Sequence, residues 1–166
     1  MLQTKAARVL LPAVFLGGLF LARAPVAGAE APIAVIVHEQ VPVDDLSLPE
    51  LRRVFLGERL FWSKELTITL LVPSRGTRER KVLLDKIYQQ RSEAQFQHHW
   101  INKLFSDGAQ SSPKITGSPR MSASLVREIP GAIALVPVDR IPPGVKVLRI
   151  DGRRPGEAGY PLVPPD

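Results

Sequence analysis

The sequence predicts an α/β fold, a three-layer sandwich in which a mixed, mostly parallel sheet is flanked by helices. Two observations predict it and a third bounds it. Continuous apolar runs rich in β-branched residues recur along the chain, the form taken by strands covered on both faces. Between them lie segments with apolar residues at helical spacing, and strands alternating with helices pack as layers. Residues 30–166 suffice for one domain with its own core and are too few for two.

The first strand is "PIAVIVHE", Pro32–Glu39, followed by the polar connection "QVPVDD". Helix "SLPELRRVFLGE" starts at Ser47, an N-cap completed three residues on by Glu50 in a capping box, with Pro49 in the tolerant first turn. Leu48, Leu51, Val54 and Phe55 share its apolar face, and Gly57 stops it. Asp44 and Asp45 precede it and are read as serving its N-terminus. "RLFWSKE" reads as a loop that leaves Trp62 at a surface, and "LTITLLV", Leu66–Val72, as a second buried strand. From Gly76 an amphipathic helix carries Val82, Leu83, Ile87 and Tyr88. Ser92 caps another, with Phe96, Trp100, Leu104 and Phe105 on its apolar side. Asp107–Pro119 reads as a polar, turn-rich loop, and Ser118 caps one more short helix. Gly131–Val138 and Val145–Ile150 are two further strands. The tail, residues 151–166, is rich in proline and glycine and should be irregular, with a short edge strand at Tyr160–Val163.

Residues 1–29 read as a signal peptide: Lys5 and Arg8, an apolar run from Val9 to Ala22, and a small-residue cleavage pattern ending at Ala29. That run is short and interrupted for a membrane span. The expected organisation is a signal peptide over 1–29, one α/β domain over 30–150 and an irregular tail over 151–166. Lys5, Arg8 and Arg23 leave with the peptide and no acid does, so the formal charge falls from +6 to +3. A mild, dispersed excess of that size is not the footprint of a nucleic-acid binder. The chain has no cysteine, which excludes disulfides, thiol catalysis and cysteine metal sites. An exported domain without disulfides fits the periplasm.

One stretch has the layout of an anion site. In "LLVPSRGTRER" a strand ends at Pro73 and turns through Ser74–Thr77 into a helix. N–H groups of a first helical turn lack intrahelical partners, and the helix dipole adds partial positive charge. Gly76 admits an anion to the backbone, Ser74 and Thr77 offer hydroxyls, and Arg75 and Arg78 offer charge-assisted hydrogen bonds. The plainer alternative is a capped helix with solvated arginines. Metal and nucleophilic chemistry find little support. His98 and His99 are adjacent and diverge on a helix, His38 has no ligand pattern around it, and no serine stands in a G-x-S-x-G turn. No catalytic residue, metal or cofactor is expected.

Three stretches together, Leu46–Leu84, Phe96–Gly108 and Pro130–Asp139, resemble the phosphate-binding proteins of ABC transporters. Phe55, Gly57, Trp62, the turn at Ser74–Thr77 and Gly131-Ala132-Ile133 fall in that family's order, and the resemblance covers about residues 33–140. Family members have two lobes; a chain of this length implies one lobe of the type II periplasmic-binding fold. The resemblance implies a non-enzymatic periplasmic protein, with phosphate or another small oxyanion held at Ser74, Arg75, Gly76, Thr77 and Arg78. Against the family's R-S-D-G-S-G-T turn, Gly76 and Thr77 match, while Arg75, Ser74 and Leu71 replace serine, glycine and arginine. Weak binding is therefore expected. Implied partners are a membrane permease or envelope protein, and a second copy that rebuilds a cleft. The alternative is a ligand-free accessory or sensory module of the envelope.

Overall fold

The computed structural model describes residues 30–89, 92–107 and 112–164. The expected signal peptide lies outside the described residues. Strand β1 (Ile33–Val37), the two-residue β2 (Asp45–Leu46), helix α1 (Leu48–Phe55) and the short strands β3 (Phe61–Ser63) and β4 (Leu66–Thr67) come first. Then follow β5 (Thr69–Pro73), α2 (Arg78–Val82), which widens into a π-helical turn over Leu83–Ile87, and α3 (Glu93–Asp107). The chain closes with β6 (Lys114–Thr116), α4 (Pro119–Glu128), β7 (Ala132–Pro137), a 3₁₀ turn over Val138–Arg140, β8 (Lys146–Val147) and β9 (Arg149–Ile150).

The main sheet has the order β6-β5-β7-β1-β8. β6, β5 and β7 run parallel; β1 is antiparallel to both β7 and β8. Four strands therefore point one way and β1 alone is reversed, so the sheet is mixed, as the sequence predicts. Alternation sorts the side chains between two cores. Ile33, Val35 and Val37 of β1, Leu70 and Val72 of β5, and Ile133 and Leu135 of β7 pack toward α1, α2 and the π turn. Ile36, Leu71, Ala132, Ala134 and Val136 face Ala123 and Val126 of α4. Small residues on the second face let a single helix approach closely, and cover on both faces explains why the strands read as unbroken apolar runs.

Several local expectations hold. Ser47 and Glu50 form the capping box of α1, and Ser118 caps α4 through its side chain and Met121 N. Others are corrected. Trp62 is buried, because β3 and β4 form a hairpin that folds it inward, where its Nε1 donates to Gly131 O at 2.9 Å. The supposed loop at Asp107–Pro119 supplies β6, whose Leu71↔Lys114 register adds an edge to the sheet. Leu104 and Phe105 do not face the core: α3 packs through Phe96 and Trp100 and then runs clear of the body, leaving Phe105 85% exposed. Asp44 and Asp45 serve the C-terminal segment rather than α1: Asp44 pairs with Lys146 at 2.9 Å, and Asp45 accepts from Gly152 N at 3.2 Å. Asp151 takes their expected place by accepting from Leu48 N at 3.0 Å. Tyr160–Val163 is not a strand; Tyr160 and Leu162 instead insert into the larger core.

Candidate functional site

β5, β6 and β7 are parallel and end at Pro73, Thr116 and Pro137, which places their carboxyl ends along one edge of the sheet. Helices that follow such strands begin at this edge, where ligands of open α/β sheets collect. Two helices begin here. Thr77 caps α2, its Oγ1 accepting from Arg80 N at 3.2 Å and donating to Ser74 O at 2.9 Å. Ser118 caps α4 one strand away. Because β1 runs the other way, its start lies at the same edge, bringing Glu30 and Ala31 beside α2.

The five residues expected to hold an anion take different positions. Gly76 has φ +81° and nothing within 4 Å of where a Cβ would stand, so the backbone is open on that side. Ser74 N donates to Thr116 O at 3.1 Å and is consumed by the sheet. Among the described residues, the N–H groups from Arg75 to Glu79 have no partner. Those of Thr77, Arg78 and Glu79 are donors that a helix start leaves free, while those of Arg75 and Gly76 belong to the preceding turn. Arg75 turns away from the strand ends toward Glu93, 3.6 Å off, and is largely exposed. Arg78 borders the open side, its Nε 3.0 Å from Glu30 Oε2 and its Nη2 donating to Ala31 O. The turn thus brings Gly76, Thr77 and Arg78 together and directs Arg75 elsewhere.

Space is uneven around these groups. A narrow crevice between Ser74, Thr77, Thr116, Ser118 and Ser122 has no room for a water molecule. Its hydroxyls satisfy one another: Thr116 Oγ1 and Ser122 Oγ are 2.6 Å apart, and Ser122 Oγ donates to Ser118 O at 3.2 Å. Farther out, an open cleft of about 380 Å3 is lined by Arg78, Glu79, Ser118, Arg120, Asp139 and Arg140. Sequence reasoning did not find Glu79, Arg120 and Arg140. A signal for Arg120 was present, since it follows the Ser118-Pro119 cap of a second helix; none marked Glu79 or Arg140.

Behind the turn lies a rigid support. Arg80 is 2% exposed and grips Glu93 in a two-pronged pair, Nε to Oε1 at 3.0 Å and Nη2 to Oε2 at 2.7 Å. Its guanidinium lies 3.8 Å from the centre of the Phe96 ring. Hydrogen bonds from Arg80, then its charge and that of Arg75, hold the Glu93 carboxyl below its ordinary value despite partial burial. The histidines diverge. His98 is exposed, and His99 Nε2 lies 3.1 Å from Leu56 O.

The fold is that of one lobe of a substrate-binding protein. A phosphate ABC transporter substrate-binding protein with bound phosphate from Clostridium perfringens superposes with a TM-score of 0.60 at 20% identity. That match covers 76% of this chain and 48% of the other. An ABC-type phosphate transport receptor from Vibrio cholerae gives 0.60 at 15% identity over 76% and 49% of the two chains. PstS from Borrelia burgdorferi gives 0.62 at 12% identity over 82% and 55%. This chain spans about half the length of the solved proteins it matches, as a single lobe should. At these identities the likeness is one of fold. No protein-family model matches the sequence.

Proposed function

We propose that this chain is a non-enzymatic, periplasmic oxyanion-binding lobe, serving as a substrate-binding component of an ABC-type phosphate transport system beside a membrane permease. The observation that carries this reading is the row of unpartnered N–H groups from Arg75 to Glu79, open at Gly76 and flanked by Arg78. The lobe fold shared with phosphate receptors supports the choice of oxyanion. A strongly hydrated anion is held tightly only when enclosed, and here donors face it from one side. A few exposed contacts of about 1 kcal/mol each amount to binding on the order of millimolar. A permease or a second copy closing over the turn would tighten it. Export follows from the reading of residues 1–29 as a signal peptide.

The test is an amide NMR titration with phosphate and sulfate. Shifts at Arg75–Glu79 are expected at millimolar phosphate. Gly76→Val should abolish them, because its φ of +81° costs a β-branched residue about 1–2 kcal/mol and the turn must rearrange. Silence at tens of millimolar would overturn this reading. It would favour a ligand-free accessory module of the envelope, for which the sealed crevice beside Ser74 and Thr77 already speaks.

A further inference from the structure

Two arginines flank the open turn, and a carboxylate of the chain itself lies against each. Arg75 Nε is 3.6 Å from Glu93 Oε2, an oxygen that Arg80 already holds. Arg78 Nε is 3.0 Å from Glu30 Oε2, and its Nη2 donates to Ala31 O. Glu30 is the one ionic partner of Arg78 among the described residues. The charged donor that borders the open N–H groups therefore already carries an acid group.

That acid group is loosely held and cannot go far. The Glu30 side chain is 60% exposed, and an ion pair so exposed contributes little, so its release from Arg78 costs little. Glu30 nevertheless stays near, because β1 starts at the fully buried Ile33 just after it. An anion arriving at Gly76, Thr77 and Arg78 meets this negative charge as well as the guanidinium. Two unit charges about 6 Å apart in water repel by about a factor of three in affinity, and a dianion squares that factor to about ten.

We propose that Glu30 is a specificity-determining residue of this site. Its carboxylate rests on Arg78 where a ligand would, so an oxyanion must displace it, and dianions are disfavoured more than monoanions. This rests on the oxyanion reading above and adds the residue that limits affinity and sets the charge preference.

Phosphate, sulfate and perchlorate are titrated into the full chain in mildly alkaline, low-salt solution, with the Arg75–Glu79 amides followed by NMR. Under those conditions phosphate and sulfate are largely dianions, and perchlorate is a monoanion of similar tetrahedral shape. Glu30→Gln should tighten phosphate and sulfate about tenfold and perchlorate about threefold. Added salt should shrink both gains. The substitution keeps the size of an exposed side chain that lies outside every helix and strand. Glu65→Gln removes the same charge from an exposed position before β4, at the other end of β5, and should leave all three affinities unchanged. Weaker binding, no gain, equal gains for the three anions or the same gains from Glu65→Gln overturn this inference and leave the oxyanion reading intact. Binding of none of the three, to wild type or to Glu30→Gln, overturns both.

Discussion

Arg80 and Glu93 show how much a single pair can decide. Arg80 is almost fully enclosed, with one nitrogen, Nη1, left without a hydrogen bond, so its charge depends on Glu93 and on the Phe96 ring. Since the Glu93 carboxyl is held below its ordinary value of 4.5, its stabilising effect is present above that value and is lost as pH falls through the folded-state value. Glu93→Gln should therefore lower stability by about 2 kcal/mol at neutral pH, the scale of a charged hydrogen bond. In chemical denaturation the gap from wild type should narrow as pH falls below 4.5 and close once it has passed the lowered folded-state value. A gap independent of pH would assign the loss to packing instead. None of this is visible in "TRERKV", where Arg80 reads like its solvated neighbours. Its partner lies 13 residues away, brought over it by α3. By contrast, the caps at Ser47 and Ser118 were legible, since a cap depends only on residues within one turn.

Among the elements, α4 depends most on what faces it. It covers one side of the sheet alone, over Ala132 and Ala134 of β7. Ala134→Leu should cost about 1–3 kcal/mol by overpacking this narrow layer, read as a fall in the urea midpoint at unchanged slope. No change would mean that the layer has slack. Strands on this scale were legible because both faces are dry: β1 and β7 lie inside the predicted runs, while the run Leu66–Val72 divides into β4 and a β5 that extends to Pro73. β6 was missed because "KIT" lies in a polar stretch at the sheet's edge, with Ile115 65% exposed, and an edge strand need not carry an apolar run. The hairpin of β3 and β4 was missed for a related reason. Gly131 makes room for it: with φ +79°, a Cβ there would meet Thr67 O at 2.1 Å. That contact spans two distant segments, and only the folded chain shows it.

At the scale of the molecule, the C-terminal segment belongs to the body and is not an appendage. Leu162 is fully buried and Tyr160 nearly so, both in the larger core. Leu162→Ala should cost about 2–5 kcal/mol, measured by thermal or urea unfolding. An unchanged midpoint would return this segment to the status of a loose tail. The candidate site was half legible at this scale. The strand–turn–helix layout fixed Gly76, Thr77 and Arg78, whereas the cleft around Arg78, Arg120 and Arg140 exists only because parallel strands align three separate chain segments. The position of Leu162 has one more consequence. Its carbonyl accepts from Ile33 N, so the last buried residue of the segment meets the first strand. Entry and exit of the fold therefore share one margin, and a unit of that form can be carried as a cassette in a loop of a larger polypeptide without its halves being pulled apart.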